Sequence, residues 1–202
     1  MIQKADIRAL EAGTTTDKIF DMVKRIRKTS QVPLAFMTYI NPIYVYGTKK
    51  FAMKCNECHV TKVIVPDVPF EESNEIREIF NEYGVEVISL IAPTSNSRIQ
   101  MIAKKAQGFI YCVSSLGVTG VRSEFSYDVG AMIREAKRVT DIPCYVGFGI
   151  STPDQAKQMC QVADGVIVGS AIVKIIEKYG IHSKPHVYAY VKEMKAACAN
   201  CE

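Results

Sequence analysis

Short apolar runs alternate with helix-patterned stretches along nearly the whole chain, and that alternation limits the folds open to it. Strand-like runs occupy residues 34–39, 62–65, 87–91, 109–113, 144–147 and 165–168. Helical patterns occupy 48–58, 71–83, 97–106, 127–139 and 153–162, and a last one over 184–197 closes the chain. Run 109–113 is almost wholly apolar, as a strand buried on both faces must be. Single helices between strands, at intervals of roughly 20 to 35 residues, imply βαβ units and a parallel sheet. Two architectures fit, a doubly wound open sheet and a (β/α)₈ barrel. No G-x-G-x-x-G follows the first strand, which counts against a dinucleotide-binding sheet. Polar or glycine residues end nearly every strand (Tyr39, Asn41, Asp67, Thr94, Ser114, Gly149, Gly169), the pattern of a barrel that builds its site there. Only six strands are counted, so a barrel would be present here as about six of its eight βα units.

Local signals agree with this reading. Residues 5–12 read as a helix stopped by Gly13, and Thr15 or Thr16 can cap the next one, with Ile19, Phe20, Met22, Val23 and Ile26 at helical spacing. Thr152 followed by Pro153 is an N-cap with proline at the first helical position.

At 202 residues, 48% hydrophobic and 23% charged, the expectation is one globular domain over 1–202. The net charge of +4 comes from 25 basic and 21 acidic residues spread along the chain. With no basic block or basic–aromatic stripe, nucleic acid is not an expected partner. The longest apolar run, 165–176, contains Ser170 and Lys174 and is too short to span a bilayer, so no membrane is expected. Lys4 and Asp6 fall where a secretory signal would begin its apolar core, which points to the cytosol. Seven cysteines, mostly inside apolar runs, read as reduced thiols.

Three glycine-bearing loops end consecutive strands at 117–120, 147–151 and 169–170. Backbone N–H groups can reach a phosphate only where no Cβ intrudes, and a helix N-terminus adds partial positive charge. Ser170 is expected as N-cap of a short helix over 171–176 and as a further donor. Tight strand–helix packing would also call for glycine at these places.

Seven motifs carry a resemblance. They are I-Q-K-A-D-I-R-A-L at 2–10, Y-I-N at 39–41, V-P-D-V-P-F-E-E-S at 65–73 and A-P-T at 92–94, then G-F-I-Y-C-V-S-S-L-G-V-T-G at 108–120, V-G-F-G-I-S at 146–151 and D-G-V-I-V-G-S-A-I-V at 164–173. In this order and spacing the chain resembles the tryptophan synthase alpha family. The resemblance implies a (β/α)₈ barrel that cleaves indole-3-glycerol phosphate to indole and glyceraldehyde 3-phosphate. It implies assembly with a PLP-dependent beta subunit in a heterotetramer, and no cofactor for this chain. It assigns Gly120, Gly149, Gly169 and Ser170 to the phosphate, with Phe148 beside it. Tyr39 and Tyr111 would line the indole pocket, Thr119 would sit on a loop closing over substrate, and Asn41, Asp67 and Pro69 would face the beta subunit. On the residues alone, a strand-end tyrosine is more often core than ligand.

The same resemblance implies a departure. Family members carry two further strands before the I-Q-x-A helix, with a catalytic glutamate and, on the following loop, a catalytic aspartate. Both would precede Met1, so no catalytic residue is expected within these 202 residues, and two sheet edges are expected to be open. A positioned acid or base contributes roughly 10²–10⁴ in rate, so the chain alone is expected to be inactive. Asp67 and Glu71 are the nearest stand-ins and are rejected, because they fall on the partner-facing stretch. The alternatives are a non-catalytic activator of a beta subunit, or another phosphate-binding barrel enzyme such as a phosphoribosyl isomerase relative.

Some motifs suggest chemistry and are expected to have none. Cys55-x-x-Cys58-His59 and Cys198-x-x-Cys201 match haem or zinc spacings, but Cys55 falls on an apolar helix face, so thiols and no metal are expected. His182 and His186 read as solvated linker because Pro185 should interrupt a helix. Lys24, Arg25, Arg27 and Lys28 read as a solvated face.

Overall fold

The computed structural model describes residues 2–113, 125–147 and 149–199, with the backbone alone at 125–128. They fall into two compact units, one formed by Ala9–Leu90 with Ala106–Gly108, the other by Met1–Arg8, Ile91–Lys105 and Phe109–Glu202.

The first unit carries a parallel three-stranded sheet in the order β1 (Ala35–Met37), β2 (Lys62–Ile64), β3 (Glu86–Val87). Phe36 is in register with Val63, which pairs on its other side with Val87. Four helices accompany it: α2 (Thr16–Arg27), α3 (Ile40–Tyr46), α4 (Thr48–Glu57) and α5 (Asn74–Glu82). The helix before them, α1 (Ile2–Glu11), ends as expected at Gly13, whose φ of 77° suits only glycine. Thr15 caps α2 by accepting from the Lys18 N–H at 3.3 Å. The sheet and helices bury Phe20, Val23, Ile43, Phe51, Val63, Ile76 and Phe80 in one core. Phe20 meets Phe36 edge-on at 5.5 Å and Phe51 at 5.3 Å, geometries that aromatic quadrupoles favour.

Arg27 is not part of a solvated face. Its guanidinium donates to the carbonyls of Cys58, His59 and Val32, tying the end of α2 to the turn after α4. Cys55 and Cys58 lie fully buried in the core, so the C-x-x-C-H stretch is packing at the end of α4.

The second unit carries β5 (Ile110–Val113), β6 (Cys144–Gly147) and β7 (Gly165–Val166) in that order, and β4 (Ser89–Ile91) falls where the first unit's stretch of chain ends at Leu90. Tyr111 pairs with Tyr145, and Tyr145 with Gly165, all in parallel. Its helices are α6 (Asn96–Lys104), α7 (Phe125–Lys137), α8 (Pro153–Cys160), α9 (Ser170–Tyr179) and α10 (Ser183–Ala199). On α7, Val129, Met132, Ile133 and Ala136 are buried at helical spacing against a core that includes Ile110, Cys112 and Val146. Glu135 is buried on the same helix and engaged by Gln100 Nε2 at 2.5 Å and Arg138 at 2.9 Å.

Two expectations are corrected here. The run 87–91 is divided at Ile88 between β3 and β4, so seven short strands replace six among the described residues. Pro185 does not break the last helix, because it stands in the first turn of α10, where its missing N–H has no intrahelical partner to lose. His186 stacks on the Tyr179 ring at 3.6 Å and is not linker.

Candidate functional site

In the second unit, two glycine turns lie at the carboxyl ends of the adjacent strands β6 and β7. Gly149 follows β6 by two residues with φ 80°, and Gly169 follows β7 as the residue before α9. The two strands advance together, since the Ile167 N–H donates to Val146 O at 2.7 Å. Gly169 occupies the N-cap position and Ser170 is the first helical residue, a correction to the expected Ser170 cap. Ile172 and Val173 both return their N–H groups to Gly169 O, and the N–H groups at the head of the helix stay outside the intrahelical ladder.

The surroundings of these glycines separate packing from open space. A Cβ at Gly147 would collide with the Tyr111 ring, and one at Gly165 would approach the Tyr145 ring at 3.1 Å. A Cβ at Gly149 or Gly169 would meet nothing within 4 Å among the described residues. At Gly169, φ is −120°, so backbone conformation does not demand glycine either. The two turns therefore leave bare, exposed backbone beside a helix N-terminus.

Tyr111 is on β5, only 4% exposed, with its ring across Gly147, and burial pushes its phenol pKa up. Thr119, Gly120 and Phe148, together with Ser114, lie outside the described residues.

Asp164, just before β7, was not singled out beforehand, although it opens the D-G-V-I-V-G-S motif. It accepts from the Cys144 N–H at 2.7 Å and pairs with Lys137 Nζ at 3.0 Å. Burial raises its pKa, but the Cys144 N–H and Lys137 outweigh that and hold the carboxyl below its usual range.

In the first unit, the residues expected to meet a partner come together at the carboxyl end of the sheet. Tyr39, assigned by the resemblance to the indole pocket, stands at the N-cap of α3, 64% exposed, and Asn41 is exposed two residues on. Asp67 is exposed after β2 and accepts the Ile40 N–H on both oxygens, at 3.1 and 3.2 Å, so it serves as the charged cap of α3. Pro69 is exposed two residues further on, ahead of a 3₁₀ turn at Phe70–Glu72. Among the described residues, no three His, Cys, Asp or Glu side chains are grouped so as to hold a metal, and no helix is long and apolar enough to cross a membrane.

Parallel strands alternating with helices, and bare glycine turns at the carboxyl strand ends, define a protein of the (β/α)₈ barrel type, here in part. The family model for the tryptophan synthase alpha chain matches residues 1–200. The chain belongs to that family. The tryptophan synthase alpha chain of Lacticaseibacillus casei is 43% identical over 197 residues, which make up 98% of this chain and 74% of that one. The solved alpha chain from Legionella pneumophila superposes with a TM-score of 0.86 at 35% identity, over 98% of this chain and 75% of its own. A structure of the tryptophan synthase a2b2 complex from Pyrococcus furiosus, described for its mutual activation, matches with a TM-score of 0.84 at 32% identity over 96% and 79%.

Proposed function

We propose that this chain acts as a tryptophan synthase alpha chain, a lyase of tryptophan biosynthesis working on indole-3-glycerol phosphate in the cytoplasm. The observation that carries the phosphate end of this reading is the bare backbone at Gly149 and Gly169. Among the described residues neither glycine has a packing partner at the Cβ position, and Gly169 lies outside the left-handed region, so this reading gives the space to a ligand. The α9 N-terminus supplies N–H donors and partial positive charge there, and Ser170 Oγ adds a hydroxyl. By the family resemblance, Gly120 joins the phosphate grip with Phe148 beside it, Thr119 sits on a loop that closes over substrate, and Tyr111 lines the indole pocket. A phenol is neutral at neutral pH and burial raises the Tyr111 pKa further, so it offers the ligand a neutral wall with a hydroxyl.

The partner in this reading is a beta subunit, met through Asn41, Asp67 and Pro69. The a2b2 assembly of the Pyrococcus relative supports it, as does the Asp67–Ile40 tie that holds these residues as one exposed patch. With both oxygens on a backbone N–H, Asp67 is a structural cap and not a proton carrier for carbon–carbon cleavage. No cofactor is called for on this chain.

The test is a thermal melt with and without glycerol phosphate, beside two activity assays with a beta subunit. A melting point raised by glycerol phosphate in the wild type but not in Gly169→Val supports the phosphate site, and an equal rise in both overturns it. Indole release from indole-3-glycerol phosphate supports the lyase reading. Stimulation of the beta subunit without indole release assigns the chain as a non-catalytic activator.

A further inference from the structure

The first unit holds a cavity of about 50 Å³ whose lining includes Val68, Phe70, Ile76 and Leu90 together with Arg77 and Ser89. A water needs roughly 10–15 Å³ of such space, so the cavity holds a few waters or a ligand of about four heavy atoms.

Its polar lining includes Arg77, a cation with no counter-charge among the described residues. Arg77 Nε donates to Ser73 Oγ at 2.9 Å, Nη2 donates to Ser89 Oγ at 3.0 Å, and the guanidinium carbon sits 5.4 Å from the Phe70 ring centroid. Nη1 is buried and has no hydrogen-bond partner among the described residues. Burial lowers the Arg77 pKa, and no carboxylate among the described residues acts against it. Ser73 and Ser89 are 3% and 2% exposed. Ser73 gives its proton to Phe70 O at 2.7 Å. Ser89 accepts from Arg77, and its own proton has no acceptor among the described residues. Two donors, one charged, are thus left over in a cavity that also presents the apolar side chains of Val68, Phe70, Ile76 and Leu90. Leaving a buried donor unmet is unfavourable, and a carboxylate is the acceptor that a guanidinium binds most strongly.

We propose that this cavity binds a small monocarboxylate of acetate size, its oxygens accepting from Arg77 Nη1 and the Ser89 hydroxyl, its methyl against Val68, Phe70, Ile76 and Leu90. The probe is sodium acetate, titrated against sodium chloride at matched ionic strength, with the Arg77 side-chain N–H resonances and the melting point followed together. Acetate is expected to shift those resonances saturably and to raise the melting point by a few degrees over chloride. In Ser89→Ala the half-saturating acetate concentration rises about tenfold, and in Arg77→Gln the saturable response is lost. Equal responses to acetate and chloride, or a titration unchanged in Ser89→Ala, overturn the proposal. Should Arg77→Gln fail to fold, the Ser89→Ala titration decides, since that variant keeps the guanidinium and its bond to Ser73. The readout is local to Arg77 and independent of the glycine turns in the other unit.

Discussion

Gly147 and Gly149 are two residues apart and do opposite work. At Gly147 the Tyr111 ring occupies the place of a side chain, so Gly147→Ala overpacks the strand pair. That variant is expected to lose about 1–3 kcal/mol in denaturant unfolding. Gly169→Val enters open space at a φ of −120°, outside the left-handed region, so its melting point should stay within a few degrees of wild type. Its affinity for glycerol phosphate should drop at least about tenfold, or ~1.4 kcal/mol. Unchanged affinity by calorimetry would remove Gly169 from the phosphate site. Glycine-rich loops were visible in the residue string, but their division into packed and open glycines was not. That division depends on which ring lies opposite, and Tyr111 reaches Gly147 only because β5 and β6 pair in register.

At the scale of elements, Asp164 joins three pieces, α7 through Lys137, β6 through the Cys144 N–H, and β7 at its own position. Asp164→Ala leaves that strand N–H unmet and should cost about 1–3 kcal/mol at neutral pH. Because its folded pKa is depressed below the unfolded value of about 3.9, its contribution is complete above that value and is lost as pH falls through the folded pKa. Acid unfolding profiles of wild type and Asp164→Asn should therefore converge below about pH 4 and separate above it. The α8 start is a full capping box, with Thr152 accepting from the Gln155 N–H at 3.3 Å and Gln155 Oε1 accepting from the Thr152 N–H at 3.2 Å. Thr152→Ala should lower stability by about 1 kcal/mol by thermal denaturation. The box was foreshadowed by Thr152-Pro153, and the alternation of elements was readable because apolar periodicity differs between strand and helix. The division of run 87–91 was not readable, since either half is equally apolar and only the pairing partners distinguish them.

Across the molecule, the cysteines sort by burial. Cys55, Cys58, Cys112 and Cys144 are buried, while Cys160 and Cys198 are partly exposed. Burial pushes the Cys55 thiol to about 12, so it stays protonated and unreactive near neutral pH. Thiol titration of the native chain should spare these four and label them only with denaturant; native labelling of Cys55 would contradict its place in the core. At this scale the sheet order shows β1 paired only with β2, and β7 only with β6, among the described residues. By itself the sequence determined the parallel α/β class, most helix ends and the family, because periodicity, caps and ordered motifs are local or linear properties. Tertiary structure decided what no linear property contains: which glycines face open space, that Asp67 caps a helix from the loop after a neighbouring strand, that Arg27 clamps three carbonyls, and that Arg77 sits half-buried with no counter-charge among the described residues. Each depends on residues distant along the chain being brought within a few ångströms, and only the packed fold does that.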